Sequence, residues 1–231
     1  MNRLSIIVPV LDEAEGIAAV LTALAPLRAR HAEVIVVDGG SRDCTADLAR
    51  PLCDRVITTL RGRAAQMNAG AAAAAGNVLL FLHADTTLPA AADGLVIDGL
   101  ARSRRAWGRF DVRIAGRHPL LPIVACLMNL RSRLTGIATG DQAMFVTRDA
   151  FAMAGGFPDL PLMEDIALSR RLKRLTAPLC LAPPAVTSGR RWEKHGVMRT
   201  ILLMWRLRLA FFFGAEPAQL ARTYGYAPRR P

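Results

Sequence analysis

The stretches LSIIVPVLDE at residues 4–13 and EVIVVDGGS at residues 33–41 decide the fold. Each begins as an unbroken apolar run rich in Val and Ile and ends in carboxylates. A run without polar alternation is typical of a strand that is buried on both faces. NVLLFLH at residues 77–83 is a further run of this kind, and Asp85 follows it. The pattern predicts a buried parallel sheet.

Segments with helical spacing separate these strands. Helices are predicted over residues 14–30, 43–53 and 64–75, and a short strand over residues 56–60. Strands that alternate with helices predict an α/β fold, with a Rossmann-like, mostly parallel sheet and helices on both faces. Ligands of such sheets bind beyond the carboxyl ends of the strands.

The pattern is less regular after residue 90. It predicts one helix that ends near residue 103 and three further helices over residues 120–134, 149–154 and 165–175. Strands are predicted over residues 107–114 and 142–147. Residues 197–213 are strongly apolar but contain three arginines. This segment is too short and too charged to span a bilayer. It predicts an amphipathic helix that either packs against protein or lies on a membrane surface.

Charge is unevenly distributed along the 231 residues, whose net charge is +11. Residues 1–100 carry 8 Arg against 11 acidic residues, whereas the remainder carries 22 basic against 8 acidic residues. The basic part suits an anionic partner such as a phosphate, a phospholipid surface or nucleic acid. A general preference for Arg over Lys is an equally weighted alternative.

Cysteine usage and the N-terminus bear on the compartment. The four cysteines show neither zinc-site nor redox-motif spacing, which predicts reduced thiols in a cytoplasmic protein. The N-terminal apolar run is interrupted by Pro9 and two acidic residues, which argues against a signal peptide.

Acidic residues follow three of the predicted strands. Asp12 and Glu13 follow the first, Asp38 ends the second, and Asp85 follows the strand at residues 77–83. An isolated Asp after a strand is more often a turn or cap residue. Several at one sheet edge predict a site for a hard divalent cation, Mg²⁺ or Mn²⁺. Such an ion would neutralise the phosphates of a bound diphosphate.

In their order and spacing, these segments resemble the family 2 glycosyltransferases with the GT-A fold. The matching segments are SIIVPVLDE, EVIVVDGGSRDCT, RGRAAQMNAGAAAAAG, LLFLHADT, GDQAMF and the pair Glu164 and Asp165, over about residues 4–192. The resemblance implies hexosyl transfer from a nucleotide diphosphate sugar to an acceptor hydroxyl, with inversion. HADT and GDQAMF are most similar to the bacterial rSAM/selenodomain-associated transferase 2 group, which is linked to arsenosugar-type pathways.

The resemblance also implies roles for individual residues. Asp165, in the first turn of a predicted helix, is implied as the general base. Asp85 is implied as the metal ligand, with His83 as a further candidate because it replaces the first Asp of the family's DxD-type motif. Donor contacts are implied for Pro9, Asp12, Glu13, Asp38, Gly40, Arg63, Asn68, Ala84 and Asp85. Acceptor or phosphate contacts are implied for Arg109, Gly140, Asp141, Gln142, Glu164, Arg191 and Trp192.

These inferences divide a single domain, residues 1–231, into three parts. We expect a donor half at residues 1–100, an acceptor half at 101–196, and a C-terminal amphipathic helical segment at 197–231. The acceptor is either a small molecule or a lipid. A lipid acceptor would bring residues 197–213 to the inner face of the membrane.

Two other functions fit parts of the pattern. A sugar-phosphate nucleotidyltransferase would also use acidic strand ends, but such enzymes usually carry a Gly-rich loop where this chain has Leu11, Asp12 and Glu13. A basic protein that binds nucleic acid or a membrane surface would explain the charge. Nucleic acid is disfavoured because 6% of residues are aromatic and no binding motif is present.

Overall fold

The computed structural model describes residues 3–226. The first half contains β1 (Leu4–Val10), α1 (Ile17–Ala29), β2 (Glu33–Asp38), α2 (Thr45–Ala49), β3 (Arg55–Thr58), α3 (Arg63–Ala73), β4 (Val78–Phe81), β5 (Thr86–Thr87), α4 (Ala92–Ser103) and β6 (Trp107–Ala115). The second half contains α5 (Leu121–Thr135), β7 (Phe145–Thr147), α6 (Arg148–Met153), α7 (Glu164–Leu172), β8 (Leu179–Ser188), α8 (Arg190–His195), α9 (Val197–Phe212) and α10 (Pro217–Tyr224). Short 3₁₀ turns cover Arg50–Leu52 and Gly140–Gln142.

Within the described residues, the strands form one sheet in the order β3-β2-β1-β4-β7-β6-β8-β5. Strands β1 to β4 are parallel to one another, and β6 is parallel to β8. β7 runs antiparallel to β4 and β6, and β5 antiparallel to β8. The predicted α/β fold with a mostly parallel sheet is confirmed. The strand predicted at residues 142–147 is shorter, because Gln142 belongs to the 3₁₀ turn and Ala143 has a φ of 45°, outside the strand conformation.

Alternate side chains of β1 enter two different cores. Ile6 and Val8 pack with residues of α1 and α4. Ile7 packs on the opposite face with residues of α3, α6 and α7. All seven residues of β1 are buried, which explains its lack of polar alternation. Helices cover both faces, as predicted.

Strand β8 was not predicted from the sequence, because Pro183 and Pro184 interrupt its pattern and proline cannot donate to a strand ladder. The sheet accommodates them by a register shift between Phe110 and Asp111 in the pairing of β6 with β8. The end of β8 lies beside Asp85, whose carbonyl accepts the Ser188 N–H at 3.1 Å. β8 therefore brings α8 to the edge of the sheet where β1 and β4 end.

Candidate active site

A cleft of about 540 Å³ opens at the carboxyl ends of β1 and β4. Its volume lies in the range of small-molecule sites. The structure brings together in its wall predicted residues from distant parts of the sequence: Pro9, Glu13, Arg63, His83, Ala84, Asp85, Gly140, Asp141, Glu164, Asp165, Arg191 and Trp192.

Asp12, Asp38 and Gly40 do not line this cleft. The Asp38 carboxylate accepts the backbone N–H groups of Gly40, at 3.2 Å, and Ser41, at 3.1 Å, together with the Ser41 hydroxyl. Asp12 accepts the Arg42 N–H at 2.7 Å. Gly40 has a φ of 87°, a conformation that favours glycine. These bonds tie the loop after β1 to the loop after β2.

Asn68 and Gln142, for which ligand contacts are predicted, also lie outside the cleft. The Asn68 amide donates to the carbonyl of Phe157 at 2.8 Å and accepts its N–H at 2.9 Å. Gln142 is fully buried, and its side-chain oxygen accepts the Thr139 N–H at 3.2 Å. The Asn68 amide thus joins α3 to the segment at Phe157, and the Gln142 amide closes the 3₁₀ turn at Gly140–Gln142.

Arg109, for which a phosphate contact is predicted, also lies outside the cleft. Its side chain is fully buried. The guanidinium donates to Ser132 and to the carbonyl of Asn129, each at 3.1 Å, and forms an ion pair with Asp111. Arg109 therefore ties β6 to α5.

Asp165 lies in the first turn of α7 and faces the cleft. Its Oδ2 accepts the Gly140 N–H at 2.9 Å, and its Oδ1 accepts the Ile166 N–H at 2.7 Å. The chain enters α7 through Met163 at a φ of 68°, which is uncommon for a residue other than glycine. Such conformations cost about 1–3 kcal/mol and concentrate at functional sites.

Glu164 is buried beside Asp165, with 4% of its surface exposed. Burial and the charge of Asp165 raise the pKa of Glu164 to about 7, although Arg63 acts in the opposite direction. Two adjacent carboxyl groups with different surroundings are typical of sites that carry out acid and base chemistry.

The imidazole of His83 is fixed between Asp141 and Gly140. Its Nδ1 lies 3.3 Å from Oδ1 of Asp141. A Cβ atom on residue 140 would come within 2.3 Å of Nε2, so glycine is required there. Burial acts to raise the pKa of Asp141, but His83 and the positive charges of Arg63 and Arg208 lower it below its usual value.

Glu13 and Asp85 form the acidic part of the cleft wall. Burial and the charge of Asp85 raise the pKa of Glu13, against the influence of Arg190 and Arg63. Asp85 lies next to β5, and its Oδ1 accepts the Thr86 hydroxyl at 3.2 Å. The two carboxylates thus place negative charge at the strand ends where the sequence predicted it.

The cleft arginines stack on two tyrosines that the sequence did not implicate. Cζ of Arg63 lies 5.2 Å from the ring centroid of Tyr226, and Cζ of Arg191 lies 3.7 Å from that of Tyr224. Arg191 also donates to the Tyr224 carbonyl at 2.7 Å. Cation–π contacts of this kind contribute about 0.5–2 kcal/mol. The signal available in the sequence was that both tyrosines of the chain fall in one short segment, Tyr-Gly-Tyr.

Residues 5–153, more than half of the chain, match the model of glycosyl transferase family 2. The chain belongs to this family. Among curated proteins it is 26% identical to the probable glycosyltransferase YdaM of Bacillus subtilis, over 94% of this chain and 56% of that protein. The chain therefore spans about half the length of this family 2 relative.

Solved structures share the GT-A fold of this family 2 chain. The mannosyltransferase PcManGT of Pyrobaculum calidifontis, in complex with GDP-Man and Mn²⁺, superposes with a TM-score of 0.65 at 24% identity, over 90% of this chain and 61% of that one. Glucosyl-3-phosphoglycerate synthase of Mycobacterium tuberculosis was solved in complex with Mn²⁺, UDP and glucosyl-3-phosphoglycerate. It superposes with a TM-score of 0.60 at 20% identity, over 98% of this chain and 81% of that one.

The residues of this family 2 chain fit a divalent cation whose coordination shell is completed by a bound ligand. Within residues 3–226, no group of three or more His, Cys, Asp or Glu side chains could hold an ion alone. Asp85 offers carboxylate oxygens to the cleft, and a hard cation commonly combines one or two carboxylates with phosphate oxygens and water. His83 is already engaged with Asp141, so the imidazole is not the expected second ligand.

Further cleft residues of this family 2 chain were missed from the sequence. Gln66 on α3 donates to the carbonyls of Val10 and Val37, each at 2.8 Å, and so joins the ends of β1 and β2. Met204 and Arg208 reach the cleft from α9. Their four-residue separation, one helical turn, was the available signal.

The side of α9 that does not reach the cleft is exposed. Exposed apolar residues recur on α5 (Ile123, Leu127, Leu130 and Leu134) and on α9 (Met198, Leu202, Trp205, Leu209 and Phe212). Among the helices of residues 3–226, none has the length and apolar character needed to cross a membrane.

Proposed function

We propose that this family 2 protein transfers a hexosyl residue from a nucleoside diphosphate sugar to an acceptor hydroxyl, with inversion at the anomeric carbon. The observation that carries the proposal is the convergence of Asp85, Arg63, Arg191 and Asp165 on one cleft. A carboxylate at a strand end, two guanidinium groups and a carboxylate at a helix start supply the groups that such a transfer needs.

Arg63 and Arg191 would bind the diphosphate of the donor. Stacking on Tyr226 and Tyr224 fixes the planes of the two guanidinium groups, and such planes bind phosphate through paired N–H donors. A divalent cation held by Asp85 would neutralise charge on the departing nucleoside diphosphate. The Mn²⁺ and nucleotides in the two related structures support this part of the proposal.

Asp165 would activate the acceptor. Its carboxylate takes the proton of the acceptor hydroxyl while the hydroxyl oxygen bonds to the anomeric carbon. The bond between that carbon and the diphosphate breaks, and the diphosphate leaves with the electron pair. The N–H groups of Gly140 and Ile166 hold the carboxylate in orientation.

The exposed apolar faces of α5 and α9 support a bilayer surface as a partner. They present large apolar side chains at helical spacing, and Arg199 and Arg206 are exposed on α9 among them. Apolar burial combined with basic residues is how interfacial helices bind anionic membranes. We place the protein at such a surface, with the acceptor either lipid-linked or soluble. The resemblance to the rSAM/selenodomain-associated group stays a prediction.

The activity is tested with purified protein, UDP-glucose or GDP-mannose, and Mg²⁺ or Mn²⁺. We expect metal-dependent thermal stabilisation by at least one nucleotide and slow release of the nucleoside diphosphate by hydrolysis of its sugar. Asp85→Asn should lose the metal dependence. If no nucleotide stabilises the wild-type protein and none is released from any donor, the proposal is wrong.

A further inference from the structure

Two arginines, Arg131 and Arg208, hold buried side-chain N–H donors without acceptors within residues 3–226. Arg131 lies on α5 and Arg208 on α9. Within residues 3–226, Nε and Nη2 of Arg131 and Nε of Arg208 are buried and have no acceptor. An unsatisfied buried donor costs about 1–3 kcal/mol, and more when it is charged. The arrangement therefore favours an acceptor that is not part of the described chain.

The positive charge of this pair is poorly compensated. Burial and the neighbouring charge of Arg208 lower the pKa of Arg131 to about 10, with a further contribution from Arg109 and an opposing one from Asp165. Arg109 is already paired with Asp111. The Asp165 carboxylate lies within electrostatic reach, but it accepts hydrogen bonds from two backbone N–H groups. An anion would supply the missing acceptors and balance the charge.

The pair is positioned beside the proposed base. Arg208 lines the cleft, together with Met204 one turn earlier on α9 and with Met163 at the entrance to α7. Arg131 interacts electrostatically with both Arg208 and Asp165. An anion bound by the two arginines would therefore lie near Asp165. Arg63 and Arg191, which we assign to the donor, contact the tyrosine rings at the C-terminal end of α10 and just after it instead.

We propose that Arg131 and Arg208 form a subsite for a phosphate dianion, carried by the acceptor that Asp165 activates. Its assignment to the acceptor rests on the proposed function, whereas the binding of the anion does not. Two guanidinium groups balance a dianion and can meet its oxygens with paired N–H donors. Held there, the phosphate would position a hydroxyl of the same molecule next to Asp165.

The test uses the full chain with inorganic phosphate, glycerol 3-phosphate and acetate as probes, measured by thermal shift and calorimetry. The titrations are run with and without saturating UDP and Mg²⁺, which occupy the donor part of the cleft. Arg131→Gln and Arg208→Gln are compared with Arg102→Gln, which changes an arginine of α4 whose side chain is 83% exposed and does not line the cleft.

We expect both phosphate probes to stabilise the wild-type protein and the Arg102→Gln variant, in the presence of UDP as well as in its absence. Affinity should fall at least about tenfold in Arg131→Gln and in Arg208→Gln, which is about 1.4 kcal/mol or more of binding free energy. Without phosphate, Arg131→Gln should melt above the wild type, because it removes an uncompensated buried charge.

Three results would overturn the subsite: unchanged phosphate affinity in both glutamine variants, loss of phosphate binding once UDP is present, or acetate binding as tightly as phosphate. The last would assign a carboxylate instead. UDP binding tests the proposed function separately from the subsite. Phosphate binding that depends on the two arginines, in a protein that binds no nucleotide, would keep the subsite and reject the transferase.

Discussion

Nδ1 of His83 lies 3.3 Å from Oδ1 of Asp141, so the segment that carries Asp85 is joined to the turn before β7. The resemblance to the family's DxD-type motif predicts that His83 replaces the first carboxylate of that motif. A carboxylate at this position would face that of Asp141 without a proton donor between them. The histidine therefore lets this chain keep Asp141 in the wall of the cleft.

Replacing His83 by the family's aspartate should destabilise the protein. His83→Asp places like charges at close range, and we expect the free energy of unfolding at pH 7.5 to fall by about 1–3 kcal/mol. His83→Asn, which keeps a hydrogen-bond donor for Asp141, should lose less. Urea unfolding of the two variants measures the difference. Equal stability would mean that the contact with Asp141 is unimportant.

Glu164 should make stability depend on pH. Its pKa in the folded protein is about 7, above the ordinary 4.5, so the folded state holds a proton that the unfolded state releases. Stability therefore falls as pH rises from about 4.5 to 7. Glu164→Gln removes this penalty and should gain relative to the wild type by up to about 3 kcal/mol at pH 8. Unfolding curves from pH 4.5 to 8 test it; a constant difference across that range would contradict the assigned cause.

Tyr226 should strengthen nucleotide binding by holding Arg63 in place. Tyr226→Ala removes the ring 5.2 Å from the guanidinium, and we expect UDP affinity to fall about three- to tenfold, in line with about 1 kcal/mol for a cation–π contact. Tyr226→Phe keeps the ring and is the matched control. Calorimetric titration with UDP and Mg²⁺ separates the two. Tighter binding by Tyr226→Ala would show instead that the tyrosine competes with the nucleotide.

The sequence predicted the part of the cleft at the strand ends better than the part that α9 and α10 form. The buried runs of β1, β2 and β4 identified a sheet edge, and Glu13 and Asp85 lie there because parallel strands end together. The role of Asp38 could not be predicted in the same way. A carboxylate that caps a turn and one that faces a ligand show the same sequence pattern at the end of a strand. Burial of Arg109 depends on partners in α5 that are distant in sequence.

The part of the cleft that α9 and α10 form was harder to predict, because long-range packing creates it. Arg208 lies in a helix whose apolar composition indicated burial or membrane contact, and only its position beside α7 brings the side chain to the cleft. Tyr224 and Tyr226 reach Arg191 and Arg63 because α10 folds back over the sheet edge. No local pattern specifies such a return.

The apolar faces of α5 and α9 should bind anionic vesicles. Trp205 is 70% exposed on α9, and Trp205→Glu should reduce cosedimentation with phosphatidylglycerol-containing vesicles by at least about tenfold, because it places a negative charge at the apolar contact. Met153→Glu, at a residue of α6 that is 73% exposed, is the matched control and should bind as the wild type does. Equal recovery of both variants would argue that these faces meet something other than a bilayer.

Asp165→Asn should separate binding from transfer. The asparagine keeps the shape of the side chain and an oxygen for the Gly140 N–H, which Asp165 now accepts at 2.9 Å, so the dissociation constant for UDP with Mg²⁺ should change less than about threefold. Transfer should fall by about 10²–10⁴, the usual contribution of a positioned base. Glu164→Gln, which leaves that base in place, should retain more turnover than Asp165→Asn. If Asp165→Asn turns over at the wild-type rate, another group takes the proton and the assignment of the base moves away from α7.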